Sequence, residues 1–338
     1  MSFNYIDGKG KIKIIVIGIG GAGRNAVSNM LEANIQGVEF IIVDTNKLGF
    51  RRSNVPLTLQ IGEKLTNGLG TGSNPDVGRA AAEESIEELK KKIPECHMFF
   101  LTAGFGGGTG TGATPVIAQI CKERSDLVVG VISKPFSFEG RKKREVAQLG
   151  IKTLQKTSDA IVTIPNDQMR DLASKQTKLS DIFKKADEVL HHSVKAIIDL
   201  LSINGYVNLD FADIKSILKN AGSFIIGSGK SSGPERALKA VDQAILHPFL
   251  ENTNLSGAHK ALVNITGSNN ITFEETAVIT EKITNNVGED TEIFWGQTIN
   301  ENLDETIQVT LIVTGIWSLL EKSIMQCNSY GAYRITDF

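Results

Sequence analysis

The sequence predicts an α/β protein in which a doubly wound parallel-sheet domain is joined by a long central helix to a smaller α+β domain. Three observations carry this prediction. Short apolar runs alternate with amphipathic stretches through the first half of the chain. One apolar stripe of helical period then runs from Leu179 to Leu201. Beyond it, runs rich in β-branched residues take over. With 338 residues, the chain is long enough to bury two separate cores.

The runs KIIVIG (Lys13–Gly18), EFIIVD (Glu39–Asp44), HMFFLTAG (His97–Gly104), LVVGVIS (Leu127–Ser133) and AIVTIP (Ala160–Pro165) read as buried parallel strands. A strand covered on both faces needs no polar alternation. Helical patterns separate them, and DVGRAAAEESIEELKKKI predicts one helix over Asp76–Ile93. Asn74 and Pro75 suit its cap and first position. In the long segment Leu179–Ser202, Leu179, Ile182, Phe183, Ala186, Val189, Leu190, Val194, Ile197, Ile198 and Leu201 recur at spacings of three and four. At 1.5 Å per residue this helix spans roughly 36 Å. SFIIGSG, HKALVNITG, TEIFWGQ and TIQVTLIVTG then predict a mainly sheet domain, interrupted by one helix over Pro234–Leu246. The expected boundaries are 1–178 for the first domain, 179–203 for the central helix, 204–316 for the second domain and 317–338 for a tail.

Ligands of a doubly wound sheet sit at the carboxyl ends of its strands. GIGGAGRN follows the first strand there, with Gly18, Gly20 and Gly23 fitting G-x-G-x-x-G, and Asp44 ends the second strand. Taken alone, this half reads as a dinucleotide-dependent dehydrogenase. A second loop changes the reading. GFGGGTGTG, from Gly104 to Gly112, follows the third apolar strand and leads into the helix ATPVIAQICKE. Its glycines let backbone N–H groups converge on anionic oxygens, the helix N-terminus adds its dipole, and Thr109 and Thr111 can add hydroxyl donors. One pyrophosphate needs only one such cradle, whereas a longer phosphate chain can use two. No G-x-x-x-x-G-K-[ST] is present, which excludes a P-loop NTPase.

At GGGTGTGATPVIAQI the chain resembles the FtsZ family, the tubulin-like GTPases of bacterial cell division. The resemblance runs from Ile12 to Gly315 through KLTNGLGTGSNPDVGRAAAEES, PFSFEGRKK, IPNDQ, FKKADEVL, NGYVNLDFADIKSIL and NITG. It implies a tubulin/FtsZ-like fold and hydrolysis of GTP to GDP and phosphate, activated by self-assembly. The implied partner is the chain itself, in a head-to-tail filament of the cytoplasmic division ring, with GTP or GDP and Mg2+ as ligands. By the same resemblance Gly20, Gly21 and Asn25 contact the nucleotide. Gly104, Gly106, Gly107, Gly108, Thr109 and Gly110 wrap its phosphates, Gly70, Thr71 and Gly72 face the γ-phosphate, and Lys143 lies nearby. Glu139 is implied at the ribose, with Asn166, Phe183 and Asp187 around guanine. The chemistry agrees: guanine presents N1–H and a 2-amino group, and one carboxylate at Asp187 can accept from both, which adenine does not allow. Phe183 lies four residues earlier on the same helical face, where its ring can cover the base.

On the residues alone, Asp210 and Asp213 in NLDFAD read as an N-cap and a first-turn acid. The resemblance gives them a further role. They and Asn208 reach into the next subunit's nucleotide pocket, where the acids orient water and help hold magnesium. The chain also departs from the family. Asp44-Thr45-Asn46 stands where Asn-Thr-Asp is usual, displacing the acid by about 7 Å along an extended chain. Lys143 stands where arginine is common, which keeps charge but loses the bidentate fork. The final segment WSLLEKSIMQCNSYGAYRITDF differs from the family's usual linker and tethering peptide, so membrane-tether and division-protein partners are not implied by it.

A net charge of -2 gives no electrostatic reason to expect a nucleic-acid or membrane partner. No run reaches membrane-spanning length, and MSFNYIDGKGK lacks the apolar core of a signal peptide, so a cytoplasmic location is expected. Cys96, Cys121 and Cys327 are widely spaced and read as buried or incidental thiols in a reducing compartment. Two alternatives remain at this point. One is a nucleotide-binding structural or regulatory relative with little turnover; the other is a Rossmann-type oxidoreductase, which leaves the second glycine loop unexplained.

Overall fold

The computed structural model describes residues 12–35, 37–51, 53–171, 177–202, 207, 209–246 and 255–315. Its contacts form two compact units that divide between Ser223 and Phe224. The first contains β1 (Ile14–Ile19), α1 (Gly20–Glu32), β2 (Val38–Asp44), α2 (Lys47–Phe50), β3 (Leu57–Gln60) and α3 (Glu63–Thr66). It continues with α4 (Pro75–Glu84), α5 (Ile86–Lys92), β4 (Met98–Gly104), α6 (Thr109–Lys122), β5 (Leu127–Lys134) and α7 (Arg141–Thr157). β6 (Ala160–Pro165), α8 (Asp167–Asp171), α9 (Leu179–Ser202) and α10 (Phe211–Leu218) complete it.

Its strands run in the order β3-β2-β1-β4-β5-β6 and are all parallel. β1 is buried along its whole length and β4 along all but Gly104, as the unbroken apolar runs require. Ile15, Ile17, Phe99, Leu101 and Val128 pack into one core with Ala82, Leu89, Ile117 and Leu154 from α4–α7. α1 and α9 pack together, and Ala186, Leu190, Val194, Ile197 and Ile198 of the predicted stripe are buried. Phe183, at its start, is 41% exposed, so the stripe does not extend to it as core.

Two differences from the sequence reading have local causes, and a third concerns the domain boundary. The helix expected over Asp76–Ile93 is two helices, α4 and α5, because the chain turns at Ser85, whose hydroxyl accepts from Gly62 N at 3.0 Å. The short edge strand β3 was not expected, since four residues give too little pattern to read. The acidic segment at 210–213, expected to open the second domain, has its contacts in the first compact unit.

The second unit contains β7 (Gly222–Ser232) from Phe224 onward, α11 (Arg236–Ile245), β8 (Lys260–Gly267), α12 (Phe273–Val287), β9 (Glu292–Ile299) and β10 (Thr306–Thr314). Its strand order is β7-β10-β8-β9, with β10 antiparallel to both neighbours. Alternate residues Val263, Ile265, Val309 and Leu311 pack on Ala240 and Val241 of α11 and on Ile279 and Ile283 of α12. The single helix expected here was an undercount: α12 opens on a capping box in which Thr272 and Glu275 satisfy each other's backbone N–H groups. Arg236 clamps the two helices together through a two-pronged bond to Glu275, at 2.6 and 3.1 Å.

Candidate functional site

β1 ends directly in α1, and β4 ends in the loop that opens α6. Neither helix has a side-chain cap at its N-terminus, so their first N–H groups remain open to an anion. The two openings are close neighbours, since a Cβ on Gly20 would stand 3.0 Å from Gly110 N. Gly106 takes φ +104°, which favours glycine, and its N–H donates to Thr111 Oγ1 at 2.9 Å. The Thr111 hydroxyl oxygen thereby shapes the loop as an acceptor. Thr109 Oγ1 lies 2.8 Å from Thr45 Oγ1, tying the cradle to the end of β2.

The loop Gly70–Gly72 is bolted to this cradle. A side chain on Gly108 would collide with Thr71 Oγ1 and Asn74 O, and one on Gly78 with Gly108 O. Gly107 differs: a Cβ there meets nothing within 4 Å. The space beside its half-buried backbone is open, so a ligand group could approach its N–H closely.

A continuous rim leads from the cradle to the residues expected at the base and sugar. A Cβ on Gly106 would lie 3.0 Å from Lys143 O, and Lys143 Nζ pairs with Glu139 Oε2 at 2.9 Å. Glu139 Oε1 accepts from Phe136 N at 2.9 Å. The buried Phe136 ring meets Phe183 edge-on at 5.4 Å and stacks on Phe138 at 5.0 Å. Asn166 follows β6 and is buried, and its Oδ1 has no hydrogen-bond partner among the described residues. An orphaned buried acceptor of this kind needs a donor, and guanine or ribose can supply one. One turn beyond Phe183, no hydrogen bond or ion pair among the described residues reaches Asp187. Burial, and secondarily Glu188, pushes its carboxyl up to about 7. A desolvated carboxylate with no partner fits the paired donors of guanine. Asn25 lies exposed one turn behind Gly21 on α1.

All the nucleotide-site candidates thus lie at the carboxyl ends of β1, β2, β4, β5 and β6 or on elements touching those ends. Asp210 and Asp213 do not join them. They cap α10 reciprocally, with Asp213 N donating to Asp210 Oδ1 and Asp210 N to Asp213 Oδ2, each at 2.9 Å. Lys215 Nζ bonds Asp126 Oδ1 at 2.7 Å, just before β5, and Lys219 Nζ lies 3.1 Å from Asp159 Oδ1, just before β6. The Phe211 ring meets His97, just before β4, at 5.8 Å. α10 therefore sits at the amino ends of the same strands. Asn208 lies outside the described residues.

Sequence reasoning missed Phe136, which supports Phe183, and Arg24, which pairs with Asp44 at 3.0 Å. The displaced acid is thereby neutralised, and Asn46 accepts from Leu48 N as the cap of α2. A lone arginine in a glycine turn carries no signal until its partner is known. Cys96 and Cys121 are buried, and desolvation pushes both thiols well up, so neither is a nucleophile.

Comparison with known proteins gives consistent matches. Residues 13–174 match the Tubulin/FtsZ family GTPase domain, and residues 222–317 match the FtsZ family C-terminal domain. Over 316 residues the chain is 42% identical to a "Cell division protein FtsZ" of Wolbachia sp, covering 90% of this chain and 79% of that one. A solved structure described as "FtsZ dimer, empty" from M. jannaschii superposes with a TM-score of 0.83 at 38% identity, covering 90% and 88% of the two chains. CetZ1 from Haloferax volcanii shares the fold, with a TM-score of 0.81 at 22% identity over 96% of this chain and the whole of that one. These matches set the oxidoreductase alternative aside.

Proposed function

The chain belongs to the FtsZ family, the tubulin-like GTPases of cell division, and from that premise we propose that it assembles head to tail and completes its hydrolytic site between subunits. The observation that carries this reading is the separation of the two halves of the site. The nucleotide loops lie at the carboxyl ends of the sheet and the acidic cap of α10 at its amino ends. β4 alone interposes seven residues, roughly 20 Å of strand at 3.3 Å per residue. A side chain cannot span that distance, so Asp210 and Asp213 act on a nucleotide only if a neighbour presents one. One surface meeting a different surface is a heterologous contact, which repeats into a filament rather than closing as a dimer. Leu48 on α2, Leu65 on α3 and Leu69 in the loop after α3 support an interface at the nucleotide end, being 59%, 48% and 80% exposed.

Within the pocket, the backbone N–H groups of α1 and α6 hold the phosphates and Lys143 adds charge. Asp187 and Asn166 read the guanine edge under Phe183, with Glu139 at the ribose. Each acid of α10 keeps one carboxylate oxygen outside the capping box, free to orient water or a proton on the neighbour's γ-phosphate. A Mg2+ ion bound with the nucleotide would offset phosphate charge, and the neighbour's Asp210 and Asp213 are the acids that would help hold it. By the same reading the filament belongs to the cytoplasmic division ring.

Mixing two variants tests the shared site. Asp210→Asn keeps the N-cap but removes the charge. Gly107→Leu puts its Cβ where nothing in the protein lies within 4 Å and extends a side chain into the open space of the cradle. Each alone should hydrolyse GTP poorly. An equal, randomly assembled mixture should regain activity, since about a quarter of its interfaces pair an intact pocket with an intact cap. Sedimentation must first find both variants in the polymer. Co-sedimentation with only the averaged rate would mean that pocket and acids serve one subunit.

A further inference from the structure

We propose that Arg24 is a phosphate-binding residue of the nucleotide site, held in position by Asp44. This rests on reading that site as one for a guanine nucleotide, and adds a contact that the glycine loops do not supply.

Gly20, Gly23, Ala26, Val27 and Met30 form the buried side of α1. Gly21, Arg24 and Asn25 share the opposite side, as spacings of three and four require. A helical side chain leans back toward the N-terminus, so Arg24 reaches over the first turn, where the phosphate chain is expected. The geometry agrees, because Arg24 Nη2 lies 4.0 Å from where a Cβ on Gly21 would stand.

The guanidinium is fixed there from one side only. Nη1 donates to Asp44 Oδ2 at 3.0 Å, and Asp44 Oδ1 accepts from Asn46 N at 3.2 Å. Asp44 is 3% exposed, and its neighbour Thr45 is bonded to Thr109 of the cradle. The anchor therefore belongs to the same rigid group as the phosphate loops. Gly49 leaves room on the second side, since any Cβ there would run into Arg24 Nη1. Nε and Nη2 make no hydrogen bond among the described residues, and the side chain is 21% exposed. A guanidinium has five donors in a planar fork that matches a phosphate. Here part of that fork is pinned, and the rest makes no hydrogen bond among the described residues beside the uncapped first turn of α1.

The competing account is that Arg24 and Asp44 merely tie α1 to β2. The two accounts differ in how binding depends on phosphate. Affinities of guanosine, GDP and GTP are to be measured on the full chain with excess EDTA and again with Mg2+. Wild type is compared with Arg24→Ala, Arg24→Lys and the double variant Arg24→Ala/Asp44→Asn, which leaves no buried acid unpaired. Melting curves confirm that each is folded. Loss of a charge-assisted phosphate contact should weaken GDP and GTP about tenfold or more while leaving guanosine unchanged. The double variant should show the same loss, and Arg24→Lys should recover part of it. Equal loss for guanosine, or undiminished GDP and GTP binding in the folded double variant, would overturn the proposal. Failure of wild type to prefer GTP over ATP would instead overturn the guanine reading on which it rests.

Discussion

Asp187 stands half-buried on α9, with a carboxyl raised from its ordinary 3.8 to about 7. Its free folded form holds a proton more tightly than the unfolded chain does. The associated stability is therefore present below pH 3.8 and lost as pH rises through about 7. Guanine donors favour the ionised form, so GTP binding pulls the other way. Affinity should rise with pH between 6 and 8, and binding near pH 7 should release protons, seen as a buffer-dependent heat in calorimetry. Asp187→Asn should flatten this pH dependence. It should also reduce the preference for GTP over ATP about 100-fold, because an amide offers one acceptor where guanine needs two. Undiminished discrimination would assign base recognition to Asn166 or another group.

α10 shows how an element can place chemistry it does not itself shape. Its capping box is local, but its position is set by Lys215 on Asp126 and Lys219 on Asp159, whose carboxylate is wholly buried. Asp159 Oδ2 also accepts from Val128 N at 2.9 Å, and Lys122 Nζ lies 3.5 Å from its Oδ1. Asp159→Ala strands two lysines and a strand N–H, and should cost about 3–5 kcal/mol of stability by denaturant melts. Lys219→Met leaves Lys122 in place and should cost only about 1–2 kcal/mol. In that milder variant GTP affinity should be unchanged and turnover in the polymer reduced, since the amino-end tether is far from the nucleotide. A fall in affinity matching the fall in turnover would show that α10 acts on its own subunit's pocket.

For the whole molecule, the proposed shared site rests on one sheet carrying the glycine cradle and the acidic cap of α10 at opposite ends. Specific GTPase activity should rise from near zero above a critical protein concentration, in step with light scattering. A rate per molecule that stays constant down to nanomolar protein would contradict the shared site.

Local chemistry wrote much of this into the sequence. Unbroken apolar runs of strand length point to strands buried on both faces, the stripe from Leu179 to one long helix, and glycine clusters after strands to turns that can admit an anion. The capping box at Thr272 was equally legible, though the sequence reading passed over it. What the order of residues did not determine was which distant groups meet. Arg24 and Asp44 lie 20 positions apart, Lys219 and Asp159 lie 60 apart, and neither pair has a pattern until the parallel sheet brings its members together. The opposed placement of cradle and acidic cap was likewise decided only in three dimensions. Strand direction assigns every loop to one end of the sheet, and that direction is a property of the assembled sheet rather than of any segment.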